Sequence, residues 1–137
     1  MALNIIMELF KEAKIVEADK QHQHYVAFLG QSKAYIIYTT RTLRNSKAVF
    51  GHDYGEMLGV RQSILLGDYD YIVWIVNRGN CYEVYMERSH RVNSFCLDNR
   101  TIYRNSMTGE YICNYPVSMA RKVAEKCINK TLLSYLK

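Results

Sequence analysis

Between Lys33 and Lys47 the chain sets four cations, Lys33, Arg41, Arg44 and Lys47, among the hydroxyl side chains of Tyr35, Tyr38, Thr39 and Thr40. A guanidinium offers a planar fork of donors to phosphate, hydroxyls add neutral donors, and a tyrosine ring can stack on a base. A second block, Arg88, Arg91, Arg100 and Arg104, follows later in the chain. With Tyr38, these cations are the candidate contacts to nucleic acid or to another phosphate-bearing ligand. The chain then reads as a small basic binding module, the more so if both blocks fold onto one surface.

The charge map sharpens this reading. Over 137 residues the formal net charge is only +5. Residues 20 to 52, however, hold five Lys and Arg and no acid, whereas residues 53 to 87 hold Asp53, Glu56, Asp68, Asp70, Glu83 and Glu87 against only Arg61 and Arg78. Surfaces of both signs also steer specific docking on proteins. A protein-binding inhibitor is therefore the alternative reading, for example a phage-encoded anti-defence protein that docks on a nucleic-acid-handling partner.

The acidic stretch carries a third possibility. DYDYIVWIVN, then Arg78-Gly79, then NCYEVYMER reads as a hairpin with a two-residue loop. Its register pairs Tyr71 with Met86, Val73 with Val84 and Ile75 with Tyr82 on one face. On the other it sets Asp70 against Glu87, Ile72 against Tyr85 and Trp74 against Glu83. Facing carboxylates destabilise a sheet unless something neutralises them, and Mg²⁺ or Mn²⁺ would do so as well as a neighbouring Arg. Asp70, Glu83 and Glu87 are accordingly the catalytic candidates of a divalent-metal-dependent nuclease. In geometry alone, Asp70, Glu83 and Glu56 resemble the Asp and Glu-x-Lys arrangement of restriction-endonuclease-like enzymes. Residue 85 is Tyr where that pattern has Lys, and no Lys lies between Lys47 and Lys122. Under the binding readings no catalytic residue, metal or cofactor is expected.

His22 and His24 share a strand face but lack a third ligand at recognisable spacing, and read as the polar start of a strand. No Walker loop, GxGxxG or HExxH occurs. Cys81, Cys96, Cys113 and Cys127 form no CxxC or CxxH pair, which argues against zinc. Nothing at the start resembles a secretory signal, so four reduced thiols in a cytoplasmic protein are expected. No apolar run approaches the roughly 20 residues of a membrane helix.

The elements that must position these groups follow from periodicity. Ile5, Ile6, Leu9, Phe10 and Ala13 mark a first helix from Asn4 to about Ala13. Residues 24 to 29 and 34 to 40 flank the turn Gly30-Gln31-Ser32. Asp53 and Glu56 form a capping box before Met57, Val60, Ile64 and Leu65, which predicts a second helix closed by a left-handed Gly67. TIYRN and EYICNY predict a third hairpin around Met107-Thr108-Gly109. Ala120, Val123, Ala124, Cys127, Ile128 and Leu132 predict a long closing helix. Tyr85 beside Trp74 is expected on an outer, interface-ready face. The whole chain, residues 1–137, reads as a single α+β domain: one twisted, mostly antiparallel sheet built from hairpins, with N-terminal, central and C-terminal helices on one face.

Overall fold

The computed structural model describes residues 2–39 and 43–127. Arg41, Thr40 and the closing-helix positions Ile128 and Leu132 lie outside the described residues. The fold is mixed α+β, with two sheets in place of the single expected one.

The first sheet has six strands in the order β1-β2-β3-β6-β7-β10. They are β1 (Lys14–Asp19), β2 (His24–Leu29), β3 (Ser32–Thr39), β6 (Tyr71–Asn77), β7 (Cys81–Arg88) and β10 (Arg121–Cys127). All pairs are antiparallel except β3 with β6. A parallel pair needs a long crossover. Here it holds β4 (Arg44–Asn45), α2 (Ser46–Phe50), β5 (Glu56–Arg61) and α3 (Gln62–Leu65). The second sheet runs β4-β5-β9-β8, with β8 (Ile102–Arg104) and β9 (Tyr111–Pro116) joined as the expected third hairpin. The remaining helices are α1 (Ala2–Leu9) and α4 (Ser89–Asn99).

Alternation along the central strands feeds two cores. Ala34, Ile36, Val73 and Ile75 pack with Ile5 and Ile6 of α1. Tyr35, Ile37, Ile72, Trp74 and Val76 point the other way and pack with Leu58, Val60, Cys113 and Tyr115 of the second sheet and with Val92 and Cys96 of α4. Helices thus lie on both faces of the six-stranded sheet. Trp74 and Tyr85, expected outside, are buried beneath the second sheet.

Three further expectations change. The segment after the Asp53 capping box is a strand, not a helix, until Gln62; Gly59 costs a helix interior about 1 kcal/mol relative to Ala, and residues 57–61 instead pair with β9. Gly67 is not among the left-handed glycines. Beyond Pro116 come a short 3-10 turn, Val117–Met119, and then β10, which covers the edge of β7 where a helix was expected. That places Cys127 opposite Cys81 in a disulfide, so only Cys96 and Cys113 are free thiols, both buried.

The β6–β7 hairpin forms with its register displaced by two residues. Arg78 N–H donates to the Cys81 carbonyl at 2.8 Å, so the turn is Gly79-Asn80, with Gly79 at φ 89°. Glycine at the first turn position supplies the positive φ that a type II′ hairpin requires. Glu87 therefore faces Ile72 and not Asp70, and Trp74 faces Tyr85 and not Glu83. A two-residue displacement leaves every side chain on its expected face.

Candidate functional site

Directly opposed residues in a sheet share a face. In the second sheet Arg44 pairs with Met57, Gly59 with Asn114, and Arg61 with Ile112, which in turn pairs with Tyr103. Arg44, Met57, Gly59, Arg61, Asn114, Ile112 and Tyr103 therefore all point one way. β4 and β8 are opposite edges with two strands between them, yet the Arg44 guanidinium lies over the Tyr103 ring, 5.0 Å from its centroid. The sheet must curl toward this face, making a trough whose rims meet at Arg44 and Tyr103. Its side wall is β3, through Ile37 and Tyr38.

One end of the trough is a cavity of about 240 Å³ lined by Arg44, Tyr103, Tyr38, Trp74, Gly59 and Asn114 among others. Gly59 leaves it open, because a Cβ there would stand 3.6 Å from Ile112 Cγ2 and 3.8 Å from Asn114 Oδ1. Trp74 donates Nε1–H to the Gly59 carbonyl at 2.9 Å, which ties the two sheets together at the cavity. Tyr38 accepts a hydrogen bond from Asn77 Nδ2 at 3.1 Å.

Two cations, Arg44 and Lys47, stand at this end. Asn45 caps α2 by accepting from Lys47 N–H at 3.0 Å, and Gly51 closes the helix in the left-handed conformation. α2 thereby brings Phe50 to Tyr103, ring centroids 6.4 Å apart, with Lys47 exposed beside it. The following loop brings Tyr54 to the end of α4, where its hydroxyl donates to Asn99 Oδ1 at 3.0 Å. Arg100, left-handed at the α4 C-cap, is next in the chain. Arg104 follows Tyr103 but points to the outer side of β8, with Nη2 3.3 Å from where a Gly109 Cβ would stand. Arg44 thus lies at one aromatic corner with Lys47 on the short helix beside it, Arg100 follows the Asn99 that Tyr54 contacts, Arg104 faces the outer side of β8, and none of the four makes an ion pair with a described residue.

The remaining expected residues lie elsewhere. Lys33 starts β3, about 20 Å of strand from Thr39, and is paired with Asp68 at 3.1 Å. Arg88 and Arg91 flank the start of α4, about 16 Å of helix from Arg100; Arg88 lies over Tyr71. The carboxylates are dispersed as well. Asp70 Oδ2 accepts from Lys33 N–H, Glu87 accepts from the Tyr115 hydroxyl at 2.8 Å, and Glu83 accepts from Arg78 Nε at 2.7 Å and from Tyr85. Arg78 also grips Glu56 with two hydrogen bonds, which hold the Glu56 carboxyl below its usual range. Among the described residues, the one group of three possible metal ligands is Cys81, Glu125 and Cys127, and its two sulfurs are joined in the disulfide.

The other end of the trough is a cleft of about 280 Å³ bordered by Arg61, His22, His24 and Glu110 over an apolar floor of Ile37 and Ile64. Arg61 lies 3.8 Å from Asp19 and 3.6 Å from Glu110. His24 shares a 3.0 Å hydrogen bond with the Tyr35 hydroxyl, and burial, aided by the Arg61 charge, pushes it down to about 4. It is neutral near pH 7.

Sequence reasoning missed Gly59, Arg61, Trp74, Tyr103 and Asn114 as site residues. Gly59 alone carried a signal, since a glycine inside an apolar run often marks a strand approached closely by a ligand or another backbone. No family model, curated protein or solved structure matches this chain.

Proposed function

We propose that the protein binds nucleic acid or a phosphate-bearing ligand at the corner formed by Arg44 and Lys47, with Arg100 at the neighbouring end of α4 and Arg104 on the outer side of β8 extending the basic surface. The observation that carries this reading is the Arg44 guanidinium over the Tyr103 ring, with Lys47 and Phe50 brought beside it by α2 and with no carboxylate partner for either cation among the described residues. Unpaired cations beside aromatic faces suit a backbone of phosphates with bases or sugars between them.

The test is binding of fluorescently labelled single-stranded and duplex oligonucleotides at several salt concentrations. Log affinity should fall linearly with log salt, by about 0.7 per contacted phosphate on a single strand and 0.9 on a duplex. Charge reversal at Arg44 and Lys47 should reduce both affinity and slope. Binding that ignores salt, or that survives this reversal unchanged, would remove the reading.

A further inference from the structure

We infer that the cavity under Arg44 is a nucleobase pocket, so that the ligand of the corner is a strand or nucleotide whose base leaves its stack and enters the trough. The inference rests on the corner reading and narrows its ligand class. Three features of the cavity point to a base and not to a phosphate alone. Two rings line it, Tyr103 beneath Arg44 and the nearly buried Trp74, while Tyr38 borders it from β3 with its ring turned toward Tyr82. Base-on-ring stacking is worth about 1–3 kcal/mol per base. Its depth is created by Gly59, in mid-strand and without positive φ, where a side chain would fill the space.

The third feature is a polar anchor. Asn114 is only 4% exposed. Its Nδ2 donates to the Thr101 and Ile112 carbonyls, both at 3.3 Å, which fixes the amide so that Oδ1 faces the Gly59 space. Oδ1 accepts no hydrogen bond from a described residue and so offers an acceptor on the cavity side. Adenine, cytosine, guanine and uracil each present an N–H on the Watson–Crick edge that can satisfy it. Arg44, at the mouth and lying over Tyr103, then meets the phosphate or the exposed face of the base. A duplex keeps its bases stacked and paired, so this pocket selects single strands.

Trp74 is the chain's one tryptophan and lines the cavity, so its emission reports occupancy directly. Adenosine, guanosine, cytidine and uridine, which carry no phosphate, are titrated into the wild-type protein. At least one should change Trp74 emission saturably in the millimolar range, about tenfold more weakly in Gly59→Leu. Gly59→Ala, whose Cβ meets only ordinary contacts, serves if the leucine variant fails to fold by circular dichroism. If no nucleoside perturbs Trp74, and Gly59→Ala binds single strands as tightly as wild type with no preference over duplex, the pocket is wrong while salt-steep binding at the corner stands. If a nucleoside saturates the pocket but no oligonucleotide binds with salt dependence, the corner reading falls instead.

Discussion

Two arginines point into the same trough from the same sheet face, and their surroundings are opposite. Arg61 has Asp19 and Glu110 within 4 Å and the Tyr35 hydroxyl at 3.4 Å. Arg44 has the Tyr103 ring and no described carboxylate. A guanidinium between two carboxylates presents little net positive field to an incoming anion, whereas one stacked on an aromatic ring keeps its in-plane donors. The trough is therefore polarised along its length, with an unneutralised guanidinium at the Arg44 end and a neutralised one at the Arg61 end. Pleating keeps them distinct. Glu56, across from Asn45 on the neighbouring strand, lies on the opposite face from Arg44 and is taken up by Arg78.

The strongest way to break this contrast is reversal of charge at each end. Arg44→Glu with Lys47→Glu should weaken oligonucleotide binding about a hundredfold at low salt, while Arg61→Ala should change it by no more than about twofold. Equal losses at the two ends, measured by fluorescence anisotropy, would erase the distinction. A smaller effect of opposite sign should follow from removing the acids beside Arg61. Asp19→Asn with Glu110→Gln frees Arg61 and should tighten binding by about threefold to tenfold, an effect that should vanish when salt is raised. No gain at low salt would mean that the Arg61 end never faces the bound strand.

The Arg61 end should also carry a pH signature that the Arg44 end lacks. His24 titrates at about 4 in the folded protein, below its unfolded value of about 6.5. As pH falls, the unfolded chain takes up this proton first. The contribution is therefore fully present above about pH 6.5 and is lost between there and about 4, at a cost on the order of 1–2 kcal/mol after allowing for partial exposure. Denaturant unfolding across that window should show the slope in wild type and a flatter one in His24→Gln; identical slopes would mean that His24 is not shielded. The smallest expected effect is on stability at neutral pH. Arg44→Ala should shift unfolding by no more than about 0.5 kcal/mol, and Arg61→Ala by about 1 kcal/mol because it removes the cation beside two carboxylates and one of the two partners of the Tyr35 hydroxyl. A larger loss for Arg44 would show it to be structural.

Local pattern was a good guide where the chain makes its contacts with near neighbours. β2 with β3, β6 with β7 and β8 with β9 were all legible, because alternation and turn glycines act over a few residues. The exact β6–β7 register was not, since two adjacent turns, one residue apart in where they begin, are both compatible with Gly79. Helix-like spacing misled at 57–61 and 121–127. Both segments carry apolar residues at positions that serve either period, and pairing with β9 and β7, remote in sequence, decided between them. The disulfide was lost with the closing helix, because Cys81 and Cys127 meet only when residues 121–127 form a strand.

Composition and local spacing set which groups are available: two blocks of cations, a surplus of tyrosines, an acid-free stretch, and a glycine in an apolar run. Their chemical types and local spacing follow from the chain alone. Which of the cations act together was decided only by tertiary structure. Arg44 and Tyr103 are far apart in the chain and adjacent in space because β5 and β9 curl the sheet between them, and Glu56 is withheld from Arg44 because the pleat turns it toward Arg78. Curl and long-range pairing arise from packing one sheet against another, and no single segment encodes them.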